Sequence, residues 1–361
     1  MTRLLLLGGG HAHALVLLEF RNFISKNLTV TLVTPGPVHV YSGMVPGVVA
    51  GHYAAADAQI GLAHLAREAG AEFIQGRLLR LEPDAKRAVL ENGDTVDYDY
   101  ASLNLGSLPD FFSVPGAAGY ATAVKPFDDF FARWHALLET GPQAPRIAIA
   151  GAGAGGVELA MAMQFALDRR GTGGSVELYS ERNVFPENLA ARIRHALERL
   201  SIKLHAGTPV HAVEPGPVVV SPLGRERYDA VFWTAGAAAL PMLRDSGLRT
   251  DERGFVLVDA SLRSVSHPDV FAAGDTAALE GAALPKSGVY AVRQAPVLAQ
   301  NLKGVMRGMA MRDYVPQKVS LALISCGAKY AIAERGGWSA EGAWAWRWKD
   351  WLDRRWIRKF R

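Results

Sequence analysis

The chain of 361 residues contains one cysteine, Cys326. A lone thiol excludes an intrachain disulfide, a CxxC redox pair and a cysteine-ligated metal site, and it fits a reducing compartment. Long apolar runs are also missing, since no stretch approaches the ~18 residues of a membrane span. The four leucines of MTRLLLL fall short of the roughly 7–15 apolar residues of a secretory core, so the amino terminus reads as a strand. Charge excess is small: 39 Lys+Arg against 35 Asp+Glu leaves +4. With no wide basic face and no nucleic-acid motif, nucleic acid is set aside as a partner. Glycine is plentiful at 37 residues, and 49% of the chain is hydrophobic, enough to bury more than one core.

The glycines are not scattered. Residues 3–8 read as a strand, 11–23 as a helix and 28–33 (LTVTLV) as a second strand, the opening βαβ of a doubly wound sheet. Short alternating strands follow over 72–105, with an Asn92-Gly93 hairpin signal. PRIAIAGAGAGGVELAMAMQFAL (145–167) then restarts the strand, glycine turn and helix, and SVELYS (175–180) supplies its next strand. Alternating strands return over 204–236. Each half closes on a small glycine turn, LNLGS at 103–107 and WTAGA at 233–237. Beyond them, DVFAAGDTA (269–277) reads as a buried strand entering a helix through Gly274-Asp275, and 288–311 as a further helix.

In the second turn Gly151, Gly153 and Gly156 fit GxGxxG. The first allows the tight bend, the second lets backbone approach a pyrophosphate, and the third lets helix and strand pack closely. The acid that usually ends the next strand and holds an adenosine ribose is displaced here. The strand ends Tyr179-Ser180-Glu181-Arg182, so Glu181 can serve NADH, or Ser180 with Arg182 can seat a 2′-phosphate; the balance leans slightly to NADH. The first turn has Gly8, Gly9 and Gly10 but holds His13 at the third-glycine place, with His11 two residues earlier. Its second strand ends Val33-Thr34-Pro35 without an acid. Residues two apart do not share a helix face, so His11 and His13 are not read as a metal pair, and no metal is expected. One imidazole either packs as a core histidine or donates an N–H to a bound pyrophosphate or ribose.

Taken together, the amino-terminal GGG turn, the internal GxGxxGVE, the TAG-type turn and the late AAGD resemble the two-dinucleotide flavoproteins of the pyridine nucleotide-disulfide oxidoreductase superfamily. That group includes type II NADH dehydrogenases and sulfide:quinone reductases. GGGHAHALVL, YSGMVPGVVAGHY (41–53) and GVYAVRQAPVLAQNL (288–302) are most similar to the flavoprotein unit fused ahead of selenide, water dikinases, in which His at the third-glycine place is usual. The resemblance implies two Rossmann-like, glutathione-reductase-like α/β domains. Residues 1–110 and 250–315 would form the FAD-binding domain, 111–249 the NAD(P)-binding domain, and 316–361 a carboxyl-terminal region with an amphipathic helix.

It also implies roles. Gly8, Gly9, Gly10 and the helix starting near His11 should take the FAD pyrophosphate, with His13 and Thr34 alongside. Gly106, Gly274 and Asp275 should meet the ribityl or pyrophosphate region. Ser42 and Gly43, within Tyr41–Gly47, should pass near the isoalloxazine. Lys286 resembles a lysine close to the flavin, where a cation and the helix end at Gly288 and Val289 would stabilise negative charge; its bland alternative is a solvated loop lysine. Glu158, in GGVE, matches a glutamate near the nicotinamide, or else is a helix-start acid. Without paired cysteines, the chemistry expected is direct hydride transfer from NAD(P)H to FAD and on to a quinone-like acceptor, although the glutamine-rich quinone signature is matched only by Gln294 and Gln300. A soluble reductase acting on a selenium or sulfur compound or a protein partner, and a non-catalytic redox sensor, fit the same motifs. In the tail, Trp344, Trp348, Leu352, Trp356 and Phe360 recur every four residues with Trp351 beside them, among Arg347, Lys349, Arg354, Arg355, Arg358 and Lys359. Such a helix suits an anionic membrane surface at the cytoplasmic face of the plasma membrane, or docking on its own protein or a homodimer partner.

Overall fold

The computed structural model describes residues 1–361 apart from Ser25, Lys26, Phe112 and Thr172. Two five-stranded parallel sheets dominate it. The first runs Val270–Ala272, Tyr100–Leu103, Thr2–Leu7, Leu28–Thr34 and Glu72–Gln75 across its width; the second runs Thr122–Ala123, Ala230–Trp233, Arg146–Ala150, Ser175–Ser180 and Lys203–Ala206. Strands covered by helices on both faces need continuous apolar runs. LLLL in the first sheet and IAIA in the second meet that need, with Leu4 to Leu7 and Ile147 to Ala150 almost wholly buried. Each sheet carries a three-stranded antiparallel meander: Leu78–Glu82, Arg87–Leu90 and Thr95–Asp97 in one half, and Ala212–Glu214, Val218–Ser221 and Gly224–Arg227 in the other.

The registers place the functional loops. Leu7 pairs with Leu103, so Gly8 emerges beside Asn104. In the second sheet Ala150 pairs with Trp233, so Gly151 emerges beside Thr234. Both glycine turns therefore open at the carboxyl ends of parallel strands, where doubly wound sheets bind ligands.

Several elements end sooner than their sequence patterns suggest. The first helix is His11–Phe20, stopping short of residue 23. Gly274, with φ +66, turns the chain after Val270–Ala272 into a single 3-10 turn, Gly274–Thr276, so no helix follows that strand directly. The late helix is Gly288–Val305 and stops before 311, where Gly308 takes φ +66.

The carboxyl-terminal region folds as a three-stranded antiparallel sheet, Ala322–Ser325, Ala331–Arg335 and Trp338–Gly342, followed by the helix Ala343–Ile357. The every-fourth-residue stripe is divided. Trp356, Ile357 and Phe360 join the core of the first sheet, whereas Trp344, Trp348 and Trp351 remain exposed. The docked face instead carries the buried Asp353 and the mostly covered Lys349. Among the described residues no helix is long and apolar enough to cross a membrane.

Candidate functional site

The second glycine turn assigns a separate duty to each glycine. Gly151 takes φ +107, which a side chain rarely adopts, and a Cβ there would fall 2.6 Å from the Ala235 amide nitrogen. At Gly156 a Cβ would lie 1.9 Å from the Gly151 carbonyl oxygen, so only glycine lets helix Ala154–Arg170 seat against the turn. Nothing lies within 4 Å of a Cβ at Gly153, the place where backbone must stay open to a pyrophosphate. Thr234 Oγ1 donates to the Gly151 carbonyl at 2.7 Å and fixes the turn.

The first turn reaches the same shape by other means. Gly8 takes φ +91, and Cβ atoms at Gly9 and Gly10 would collide with Leu62 (2.1 Å) and with Asn104 Oδ1 (2.3 Å). His13 is wholly buried, with Nδ1 2.6 Å from the Gly8 carbonyl and Nε2 2.8 Å from Ser102 Oγ. A carbonyl only accepts, so Nδ1 carries the proton and the Ser102 hydroxyl donates to Nε2. Burial lowers the imidazole pKa to about 4, keeping it neutral. His13 thus performs the bond that Thr234 makes in the second unit. Asn104, the counterpart of Thr234, is freed for other work. Its Oδ1 accepts from the amides of Ala12 and His13 at 3.1 and 3.3 Å, and its Nδ2 donates to Ala273 O at 2.9 Å. Of the two expectations for the histidines, the core-packing one describes His13.

His11 behaves differently. Its Nδ1 lies 3.3 Å from His39 Nε2, while its buried Nε2 has no hydrogen-bond partner. Burial, then Lys125, lowers its pKa to about 4. The ring sits near His39, Tyr41 and Trp356, and a Cβ on Gly288 would come within 3.9 Å of both His11 Nε2 and Ser42 Oγ. Among the described residues no cluster of three or more His, Cys, Asp or Glu is placed to hold a metal ion.

Around this crevice, Thr34 ends its strand beside Gly9 and is buried. Gly106 takes φ +81 with open space beside it, and its amide donates to Thr276 Oγ1 at 3.0 Å. Gly274 N donates to Gln294 Oε1 at 2.6 Å, and Asp275 accepts from Ser107 Oγ at 3.0 Å with Lys125 Nζ 3.5 Å away. Ser287 caps the Gly288–Val305 helix by accepting from Val289 N. Open space at Gly106, an unpartnered buried imidazole nitrogen and a helix start without a side-chain cap fit a dinucleotide cofactor laid across the strand ends.

Lys286 is half-buried: Nζ donates to Ala277 O at 2.6 Å and lies 3.6 Å from the centre of the Phe255 ring. Burial lowers its pKa to about 8, against the pull of Asp275. This is no freely solvated loop lysine. Gln294 is spent on Gly274, and the exposed Gln300 accepts from Arg312 at 3.0 Å. The pair therefore does not assemble as a shared ligand site.

Glu158 is largely covered, not a solvated helix-start acid. Its Oε1 accepts from Ser325 N at 2.8 Å, and burial raises its pKa to about 7 against the influence of Lys349. Lys349 in turn donates to Gly43 O at 2.6 Å and to Asp353 at 2.8 Å, and Asp353 accepts from Tyr41 OH at 3.1 Å. A buried polar cluster thus joins the second glycine helix, the Tyr41–Gly43 segment and the terminal helix. Sequence reading missed Asn104, Lys125, His39, Lys349 and Asp353. Only Asn104 had a signal, its place matching Thr234 in the repeated LNLG and WTAG turns. Glu181 is exposed and outside the cavity beside Ser180. Cys326 is buried and donates to Ile324 O at 3.6 Å.

Comparison with known proteins agrees with this fold. An NADH dehydrogenase-like protein of Bacillus subtilis is 24% identical over 91% of each chain. A type II NADH:quinone oxidoreductase of Staphylococcus haemolyticus is 21% identical over 86% of this chain and 84% of its own. The solved sulfide:quinone oxidoreductase of Aquifex aeolicus superposes with a TM-score of 0.84 at 18% identity, covering 100% of this chain and 92% of that one. Residues 2–297 match a single family across both glycine units, and the chain belongs to the pyridine nucleotide-disulphide oxidoreductases.

Proposed function

We propose that this protein passes electrons from NAD(P)H through FAD to a quinone-like acceptor, with no redox disulfide on the path. Its family makes it an NAD(P)H-dependent flavoprotein oxidoreductase. The observation that carries the finer reading is the pair of open glycine turns in a chain whose one thiol is unsuited to electron relay. Burial pushes Cys326 up to about 12, so it stays a thiol, and it has no partner cysteine.

FAD, when bound, supplies a two-electron carrier between nucleotide and acceptor. Gly8, Gly9, Gly10, Gly106, Gly274 and Asp275 would hold it at the first strand ends, with His11, Ser42, Gly43, Gly288 and Val289 along its length. Gly151, Gly153 and Gly156 would hold the pyridine nucleotide. Lys286 keeps a cation in the Asp275 crevice at neutral pH, because even its lowered pKa of about 8 lies above 7. Glu158, poised at about 7, can hold or release a proton behind the Tyr41–Gly43 segment. A quinone acceptor follows from the relatives named for one, among them a demethylphylloquinone reductase of Synechocystis.

Purified protein is expected to be yellow and to contain FAD. NAD(P)H should bleach it rapidly in a stopped-flow instrument, and a soluble quinone should restore the colour over many turnovers. Bleaching without quinone turnover would move the acceptor to a sulfur or selenium compound or a protein. Absence of bleaching would remove the enzymatic reading altogether.

The solvent face of the terminal helix supports contact with an anionic membrane. Trp344, Trp348 and Trp351 are exposed there beside Arg347 and Arg355, and Trp338 adds a fourth exposed indole. Because the opposite face is built into the core, deleting residues 344–361 would damage the fold. Changing Trp344, Trp348 and Trp351 together to serine should instead lower sedimentation with phosphatidylglycerol vesicles about tenfold or more while leaving FAD content unchanged. Unaltered sedimentation would count against this surface.

A further inference from the structure

The proposed nucleotide turn is followed by a cavity at the end of the second strand of its sheet unit. It opens past the end of strand Ser175–Ser180 and is lined by apolar Val157, Ile193 and Leu197 and by Ser180, Arg182 and Arg194. Among the described residues no Asp or Glu lines it. Glu181, the residue that would have to accept from an adenosine ribose diol, is exposed and outside the lining.

The reason lies in the local turn. Ser180 Oγ donates to the Arg182 carbonyl at 2.8 Å, closing the chain over residues 180–182. That bond uses the proton of the one hydroxyl at the strand end, and Arg182 rather than Glu181 lines the cavity. Arg194 also lines it, held by Glu187 at 2.5 Å. Arg182 forms no ion pair among the described residues.

The chemistry of the two ligands differs at one position. A ribose 2′-hydroxyl is best met by a carboxylate that accepts its proton. A 2′-phosphate carries close to two negative charges, is repelled by a carboxylate, and is bound by a guanidinium through two parallel N–H···O bonds. Here the carboxylate is missing from the lining and the guanidinium is present. Serine at the strand end also leaves space that an Asp or Glu would fill with charge.

We propose that this cavity receives the adenosine 2′-phosphate and that the protein prefers NADPH, with Arg182 as the main phosphate ligand and Ser180 setting the turn that presents it. This rests on the Gly151–Gly156 turn being the pyridine-nucleotide site, and it reverses the slight lean to NADH that Glu181 suggests in the sequence.

The test uses the full-length, FAD-loaded protein titrated calorimetrically with 2′,5′-ADP and with 5′-ADP, alongside flavin bleaching by NADPH and NADH. The 2′-phosphorylated ligand should bind roughly tenfold or more tightly. Arg182→Ala should weaken it about ten- to hundredfold, the size of one charge-assisted pair, while moving 5′-ADP by less than about threefold. Arg182→Lys should recover part of that loss, and Ser180→Asp should invert the preference. The proposal is overturned if 5′-ADP binds as well as or better than 2′,5′-ADP, or if Arg182→Ala leaves both unchanged. If neither ligand binds and neither dinucleotide bleaches the flavin, the nucleotide site itself is wrong and the preference falls with it. Loss of both ligands in Arg182→Ala with an unchanged melting temperature would assign Arg182 to the shared part of the nucleotide and overturn its role as 2′-phosphate ligand.

Discussion

Replacing Lys349 with methionine is expected to cost the folded state about 3–5 kcal/mol, the usual penalty for removing one partner of a buried ion pair. Lys349 and Asp353 side chains are only 12% and 7% exposed, and their contact is 2.8 Å. Three groups depend on this cation: the Asp353 carboxylate, the Gly43 carbonyl and, at longer range, the Glu158 carboxylate. Without it, Asp353 keeps only the Tyr41 hydroxyl, and its pKa, already raised by burial, moves further up. The same change loosens Gly43 in the segment proposed to lie along the flavin, so FAD should be lost more readily as the helix Ala343–Ile357 undocks. Adding Asp353→Leu removes the orphaned charge, and the double variant should regain most of the lost stability. Urea unfolding of all three proteins, followed by tryptophan and flavin emission, measures the coupling directly. A single variant within about 1 kcal/mol of the parent, or strictly additive costs, would show that water already reaches the pair and that it contributes little.

This cluster also shows why the tail was only half legible. An every-fourth-residue row of Trp, Leu and Phe predicts one apolar stripe. The helix is instead rotated so that Ala345, Lys349, Asp353 and Trp356 face inward, because a lysine and an aspartate four apart can neutralise each other and serve the Tyr41–Gly43 backbone. A stripe of residue types records hydrophobicity but not which polar residues will find partners 300 positions away. The partners of Lys125, His39 and Lys349 were invisible for the same reason: their significance is a long-range pairing, not a local pattern. The glycine turns were legible because their requirement is local. A bend with φ near +100 and a helix seated on a carbonyl constrain neighbouring residues in sequence. The repeated strand–turn–helix therefore carried both sheets and both strand-end crevices. Where the pattern broke, at His13, the sequence left packing and ligand contact open. The structure settles it through the carbonyl of the first glycine of each turn, which takes its donor from His13 at Gly8 and from Thr234, on a different loop, at Gly151.

That exchange has a pH signature. Buried His13 has its pKa lowered from 6.5 to about 4, so the unfolded chain binds a proton at this position more readily than the folded one across that interval. Stability from His13 is therefore fully present above about pH 6.5 and is lost as pH falls toward 4, by about 3 kcal/mol in all at 1.4 kcal/mol per unit. Glu158 acts in the opposite sense: with its pKa raised from 4.5 to about 7, the folded state binds the extra proton, and its contribution is present below about 4.5 and lost as pH rises toward 7. A stability profile of the parent alone mixes the two, so the comparison must be with a variant that removes one. His13→Asn keeps an N–H for the Gly8 carbonyl but leaves the Ser102 hydroxyl without its acceptor and a gap where the ring packed, which should cost about 2–3 kcal/mol at pH 7.5. It carries no titrating group, so its deficit should shrink steadily as pH falls from 6.5 and nearly vanish by pH 4. Urea midpoints at half-unit steps of pH decide the matter: convergence of the two curves places a neutral, proton-excluding imidazole on the Gly8 carbonyl, whereas parallel curves mean that His13 has the same pKa in the folded and unfolded chain and is not the buried neutral donor of this turn.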